Sequence, residues 1–224
     1  MIDLTNLTPA GIAARLQGAA TAPGSPAQSE FPSLPGFLKG EPRPAAVLIP
    51  LIHQDGDWRL LLTRRNPDLP EHSGQVAFPG GRADPIDASP EHTALREAEE
   101  EIGVHPQDVQ VLGRLHDFLT ITNYRVTPVV GLIPWPYTLR PSPEEVSRIF
   151  TIPLGWLANP QNYEERQRQL PPPHEPVSVV YFKPYDGEIL WGASARFTLT
   201  LLDLLRLPLT QDKAPAVLHP SHSH

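Results

Sequence analysis

The octapeptide Arg96-Glu97-Ala98-Glu99-Glu100-Glu101-Ile102-Gly103 is the part of the chain best equipped for chemistry. Glu97, Glu100 and Glu101 stand at i, i+3 and i+4 and so share one face of a helix, while Leu95, Ala98 and Ile102 form the opposite, apolar side and Glu99 points elsewhere. Like charges at that spacing repel by a few tenths of a kcal/mol per pair. The face is therefore either a solvated acidic surface or a set of hard oxygen ligands for Mg²⁺ or Mn²⁺. A divalent cation held there would organise a water and stabilise negative charge developing on a leaving group. Gly81, the end of Phe78-Pro79-Gly80-Gly81, lies fifteen residues before Arg96. Paired glycines let backbone approach a ligand closely, and the Gly80 carbonyl is available to a metal. Arg96, grouped with this catalytic set, reads as the anchor of a neighbouring carboxylate through a bidentate pair.

Elements able to position these groups are legible around them. Ser89-Pro90-Glu91 supplies an N-cap, a proline at N1 and a first-turn carboxylate, and Gly103 a C′ stop, so a helix is expected from Pro90 to Ile102. Strand character runs from Ala45 to Ile52 and from Trp58 to Leu62, with Asp55-Gly56 between them as a hairpin turn. A short strand is expected over 74–81, and further strands over 109–115 and 127–133. A Pro-rich loop follows over 134–143, then a short helix over 144–150. A hairpin over 177–181 and 189–191 leads into a last helix near 193–205. An amphipathic helix over 8–20 and a Pro-, Gly- and Ser-rich linker over 21–44 precede the main domain. The boundaries read as 1–44 for this arm, dispensable for chemistry, 45–206 for the domain and 207–224 for a flexible tail. Strands that interleave with only two long helices argue for a mixed α/β domain.

Bulk properties narrow the function from the other side. Among 224 residues, 29 Pro and 15 Gly point to long ordered loops, and the absence of Cys excludes disulfides, thiolate metal sites and cysteine nucleophiles. Lys+Arg 18 against Asp+Glu 25 leaves a formal charge of −7, which gives no electrostatic reason to expect nucleic acid or an anionic membrane as partner. The longest apolar stretch, Ala45 to Ile52, is interrupted by Pro50 and far too short to span a bilayer. With no secretory signal in the first residues, a cytoplasmic location is the expectation; a homodimer is left open.

The strand, glycine loop and acidic helix resemble the Nudix box, G-x5-E-x7-R-E-U-x-E-E-x-G-U with U apolar. The second half matches at Arg96, Glu97, Ala98, Glu100, Glu101, Gly103 and Val104; the first half is one residue longer, and its acidic position falls to Asp87. The segment Leu61 to Gly81 further resembles the coenzyme A pyrophosphatase branch, L-L-T-x-R-[SA]-x3-R-x3-G-x3-F-P-G-G, with Asn66 in place of Ser/Ala and Pro70 in place of Arg. Segments 124–131, 144–147 and 191–192 look like the same branch. The resemblance implies a Nudix fold, an α/β/α sandwich around a mixed β-sheet. It also implies metal-dependent hydrolysis of coenzyme A or a related nucleoside diphosphate derivative, the coenzyme A products being 3′,5′-ADP and 4′-phosphopantetheine. Other derivatives such as ADP-ribose, or a non-catalytic ligand sensor, are the rival readings, and intact Glu97, Glu100 and Glu101 weigh against the latter.

In this reading Glu97, Glu100, Glu101 and Gly80 hold the metal. Glu145 is the candidate for a further ligand or general base, with a helix-capping charge as the alternative. Gly80, Gly81, Arg65, Arg64 and His72 are candidates for substrate contact, Arg65 first and Arg64 second for a 3′-phosphate. For Arg65 and His72 a surface role is the alternative. Trp135 and Tyr137 either stack on an adenine or pin down their loop.

Overall fold

A computed structural model of the chain describes residues 4, 6–21, 40–70, 72–170 and 176–206. Helix α1 (Pro9–Thr21) precedes a hairpin of β1 (Arg43–Gln54) and β2 (Asp57–Arg65). Asp55 and Gly56 have φ of 51° and 87°, the paired positive values that a two-residue type I′ turn requires. The short strands β3 (Val76–Ala77) and β4 (Gly80–Arg82) follow, then α2 (Pro90–Ile102), β5 (Gln110–Arg114), β6 (Phe118–Leu119), β7 (Tyr124–Leu132) and β8 (Val146–Pro153). The chain continues through α3 (Leu154–Leu157), β9 (Tyr163–Arg168), β10 (Val177–Phe182) and α4 (Gly192–Arg206).

Strands β1–β8 form one mixed sheet in which β1 runs parallel to β7 and antiparallel to β2 and β4. The parallel pair needs a crossover, which the stretch containing α2 supplies. Alternation along β1 sends Ala46, Leu48 and Ile52 to one face, where they pack with Ala94, Ala98 and Ile102 of α2. Ile49 and Leu51 point to the other face and join Ile12 and Leu16 of α1 and Leu201, Leu202 and Leu205 of α4. Helices cover both faces, so the expected α/β/α sandwich around a mixed sheet is the architecture observed.

Four expectations are corrected. The 144–150 segment is not a helix: β8 pairs antiparallel with β2 from Arg59↔Pro153 to Arg65↔Val146. The 74–81 strand is split, because Val76–Ala77 pairs with β2 and Gly80–Arg82 turns to β1 around Phe78-Pro79. The main partner of β10 is β9 rather than 189–191, which contributes a single bridge, Tyr181↔Trp191. Finally, α1 is no appendage, since Ile12 is 0% and Leu16 2% exposed and Trp58 Nε1 donates to the Leu7 carbonyl at 3.1 Å. Most of the linker over 21–44 and the whole tail over 207–224 lie outside the described residues.

Candidate active site

Helix α2 is fixed at both ends. Ser89 Oγ accepts the His92 N–H at 3.2 Å, and Gly103, at φ 70°, donates its N–H to the Glu99 carbonyl. Beyond the helix, the Arg140 and Ser142 amides donate to the Ile102 and Glu101 carbonyls, each at 2.9 Å. That capping carries the chain back over the acidic face and delivers Glu145. Asn66 clamps the same segment: its backbone N–H donates to the Glu145 carbonyl and its side-chain amide to the Pro143 carbonyl, both at 2.8 Å. Asn66 thus has a structural role at one of the two positions that depart from the branch pattern. Glu145 precedes a strand, so the helix-capping alternative for it is removed.

Arg96 is the hub of the site. Its Nε and Nη2 donate to the two Asp87 oxygens at 3.2 and 3.0 Å, Nη2 also reaches the Arg82 carbonyl at 3.0 Å, and Nη1 lies 3.0 Å from Glu97 and 3.2 Å from Glu100. Asp87, with its side chain 1% exposed, takes further hydrogen bonds from Thr93 Oγ1 and the Asp84 N–H. Although eight rather than seven residues separate it from Arg96, Asp87 fills the acidic position. The Arg96 hydrogen bond, then the Asp84 and Thr93 bonds, hold the Asp87 carboxyl well below the usual range, and Asp87 raises the Arg96 guanidinium in turn. Because Asp87 ionises more readily folded than unfolded, its stabilisation is present above its ordinary value, near 4, and is lost as pH falls through the acid range. Asp87→Ala is expected to cost about 3 kcal/mol at neutral pH, read by urea unfolding, with the gap to wild type closing on acidification. A gap that kept its full neutral-pH size as the pH fell from 4 to 2 would contradict this assignment.

The three helix carboxylates have unequal surroundings. Glu100 has a side chain 56% exposed. Glu97 is raised by burial against the opposing pull of Arg96, with Glu100 and Glu145 adding to the rise. Glu101 is 3% exposed and pushed up to about 8, first by burial and then by the charges of Glu145 and Glu97; Arg65 and the Gly80 N–H oppose the shift. A buried carboxylate that is short of positive charge, with two more carboxylates acting on it, suits a hard cation with oxygen ligands. No ready-made group of three or more such ligands exists among the described residues. Arg96 and Arg65 are the cations set against these carboxylates.

The glycine pair sets the approach of the loop to the helix. A Cβ on Gly81 would lie 2.4 Å from Glu97 Oε2, whereas one on Gly80 would strike backbone, at 2.5 Å from the Ala46 carbonyl oxygen and 2.6 Å from Val47 Cα. Gly81→Ala is expected to displace the Glu97 carboxylate and cut turnover by about tenfold or more with little change in Tm, while Gly80→Ala lowers Tm. Parallel activity assays and thermal scans separate the two, and equal effects on both readouts would contradict it.

A cleft of about 610 Å³ adjoins the glycine pair and is lined in part by Arg65, His72, Gly80, Gly81, Tyr124 and Phe118. Arg65 Nη1 lies 3.6 Å from Glu101, and its buried Nε has no acceptor among the described residues. His72, exposed, also borders the cleft and pairs with Gln75 Oε1 at 3.0 Å. Arg64 is directed elsewhere, 3.6 Å from the buried Glu188, which Arg148 also holds at 3.0 Å. Trp135 and Tyr137 do not line the cleft; the Tyr137 hydroxyl donates to Asp108 at 2.7 Å and accepts the His105 N–H, which pins the loop. Arg82, Arg168 and Arg196 also line the cleft and were not singled out from the sequence. The last two come from β9, whose sequence YEERQR lacks apolar alternation, and from the start of α4.

An Arg-anchored acidic helix thus faces a glycine loop on a mixed sheet. Residues 42–175 match the NUDIX domain family, and the chain belongs to the Nudix hydrolases, which use divalent metal ions. It is 44% identical over 172 residues to the Nudix hydrolase NudL of Photorhabdus laumondii, covering 75% of this chain and 88% of that one. It is 42% identical over 158 residues to NudL of Pectobacterium atrosepticum, covering 68% and 78%. A solved Nudix hydrolase from M. smegmatis superposes with a TM-score of 0.46 at 22% identity, over 54% of this chain and 76% of that one. No helix among the described residues is long and apolar enough to cross a membrane.

Proposed function

We propose that this Nudix hydrolase cleaves the pyrophosphate bond of coenzyme A, giving 3′,5′-ADP and 4′-phosphopantetheine. The observation that carries the reading is the placement of the Leu61–Gly81 segment. Its Arg65 puts a guanidinium beside Glu101 at the cleft, with a buried Nε that has no acceptor among the described residues, and its Gly80 and Gly81 pack against β1 and Glu97. Glu97, Glu100, Glu101 and the Gly80 carbonyl would hold Mg²⁺ or Mn²⁺, which when bound supplies charge neutralisation and an activated water. Arg65 binds a pyrophosphate oxygen through charge-assisted hydrogen bonds. This replaces the 3′-phosphate role expected for it, because a cation next to Glu101 belongs at the hydrolytic end. Glu145, whose charge acts on both Glu97 and Glu101, accepts a proton from the attacking water. Arg96 and Asp87 orient the helix carboxylates and touch no substrate.

The substitution of Pro70 for an expected Arg favours one rival, hydrolysis of a nucleoside diphosphate without a 3′-phosphate, such as ADP-ribose. Steady-state assays of coenzyme A, ADP-ribose, NADH and diadenosine polyphosphates with Mg²⁺ and with Mn²⁺ decide between them. The proposal expects the highest kcat/KM for coenzyme A, and ADP-ribose turned over as efficiently would overturn it.

A further inference from the structure

In a protein of formal charge −7, the cleft beside the glycine pair has a one-signed charged lining. Arg65, Arg82, Arg168 and Arg196 border it, and no Asp or Glu among the described residues does. Three of these cations are already engaged. Arg65 faces Glu101, Arg82 Nε donates to the Tyr124 hydroxyl, and Arg196 lies 3.2 Å from Glu165, which Ser178 also binds. Arg168 has no carboxylate partner among the described residues. It ends β9 opposite Val177, which lines the cleft with it, whereas Arg65 marks the hydrolytic end. Arg82 likewise has no carboxylate partner among the described residues but is held by Tyr124, so Arg168 is the one of the four with neither an ion pair nor a side-chain hydrogen bond among the described residues, on an element separate from the strand that carries Arg65.

We propose that Arg168 binds a second phosphate of the substrate, a phosphomonoester distinct from the pyrophosphate, and thereby takes over the contact that Pro70 cannot make. The inference rests on the coenzyme A reading for the identity of that group, the 3′-phosphate, but the anion site itself does not. An Arg guanidinium holds a phosphate by charge-assisted, frequently bidentate hydrogen bonds, and a ligand without that phosphate leaves the cation with solvent alone. Arg196, neutralised by Glu165, adds less.

The test compares inhibition by adenosine 3′,5′-bisphosphate and by 5′-AMP in the full-length wild type and in Arg168→Ala and Arg168→Lys. The wild type is expected to bind the bisphosphate about tenfold more tightly than the monophosphate, as one added charge-assisted contact allows. Arg168→Ala brings the two inhibition constants within about twofold, and Arg168→Lys retains part of the difference because it keeps the charge but not the fork. A wild type that does not distinguish the inhibitors, or an Arg168→Ala protein that still does, overturns the proposal. Turnover of coenzyme A against ADP-ribose is measured alongside. If coenzyme A is not preferred but the Arg168-dependent inhibition stands, the anion site holds and only the substrate reading fails.

Discussion

Glu101→Gln is expected to lower kcat by at least about a hundredfold, the scale of losing a charge from a catalytic cation site. The fold should survive, since glutamine has the same shape and its carbonyl still accepts the Gly80 N–H. It also removes a buried carboxylate that burial, Glu145 and Glu97 all oppose, so Tm in the absence of metal holds or rises. Mg²⁺ should raise Tm in the wild type, because it binds the folded state, and by less in the variant; a scan with EDTA against Mg²⁺ reads both. Glu100→Gln should match the loss in kcat with even less effect on folding, because the Glu100 side chain is largely exposed. Near-normal turnover in both variants would remove the acidic face of α2 from the reaction.

The second large effect is on folding, and it reverses what the sequence led one to expect of the N-terminal arm. Ile12 and Leu16 of α1 are fully buried in the core shared with β1, β2 and α4. A Cβ on Gly113 would come within 3.0 Å of Leu16 Cβ, so the helix lies directly on β5. Ile12→Ala and Leu16→Ala should each cost about 2–5 kcal/mol, a large fraction of the roughly 5–15 kcal/mol that holds a typical domain together. Deleting residues 1–44 removes both and the first two residues of β1 as well. That deletion should abolish cooperative unfolding, as followed by circular dichroism. A truncated protein with native Tm and turnover would restore the arm to the status of an appendage.

Elements whose signals are local could be read directly from the order of residues. Helix α2 was legible to the residue because Ser89, Pro90 and Gly103 mark its ends and Glu97, Glu100 and Glu101 fall on one face at helical spacing. The β1–β2 hairpin was legible because Asp55-Gly56 tolerates positive φ between apolar runs.

Features that depend on partners distant in the chain emerge only once those partners are brought together. Val146, Ile149 and Phe150 satisfy helical spacing as well as a strand's, and the edge of β2 selected the strand. β9 is polar and exposed along nearly its whole length, so nothing but its pairing with β10 reveals it. Arg64 and Arg65 are adjacent and chemically identical; the irregularity between them in the β2–β8 pairing, and the presence of Glu188 on one side and Glu101 on the other, assign one to a structural pair and the other to the cleft. Asp87 was displaced by one residue in the motif, yet Arg96 reaches it, because a guanidinium on a long side chain responds to distance in space and not to position in the chain.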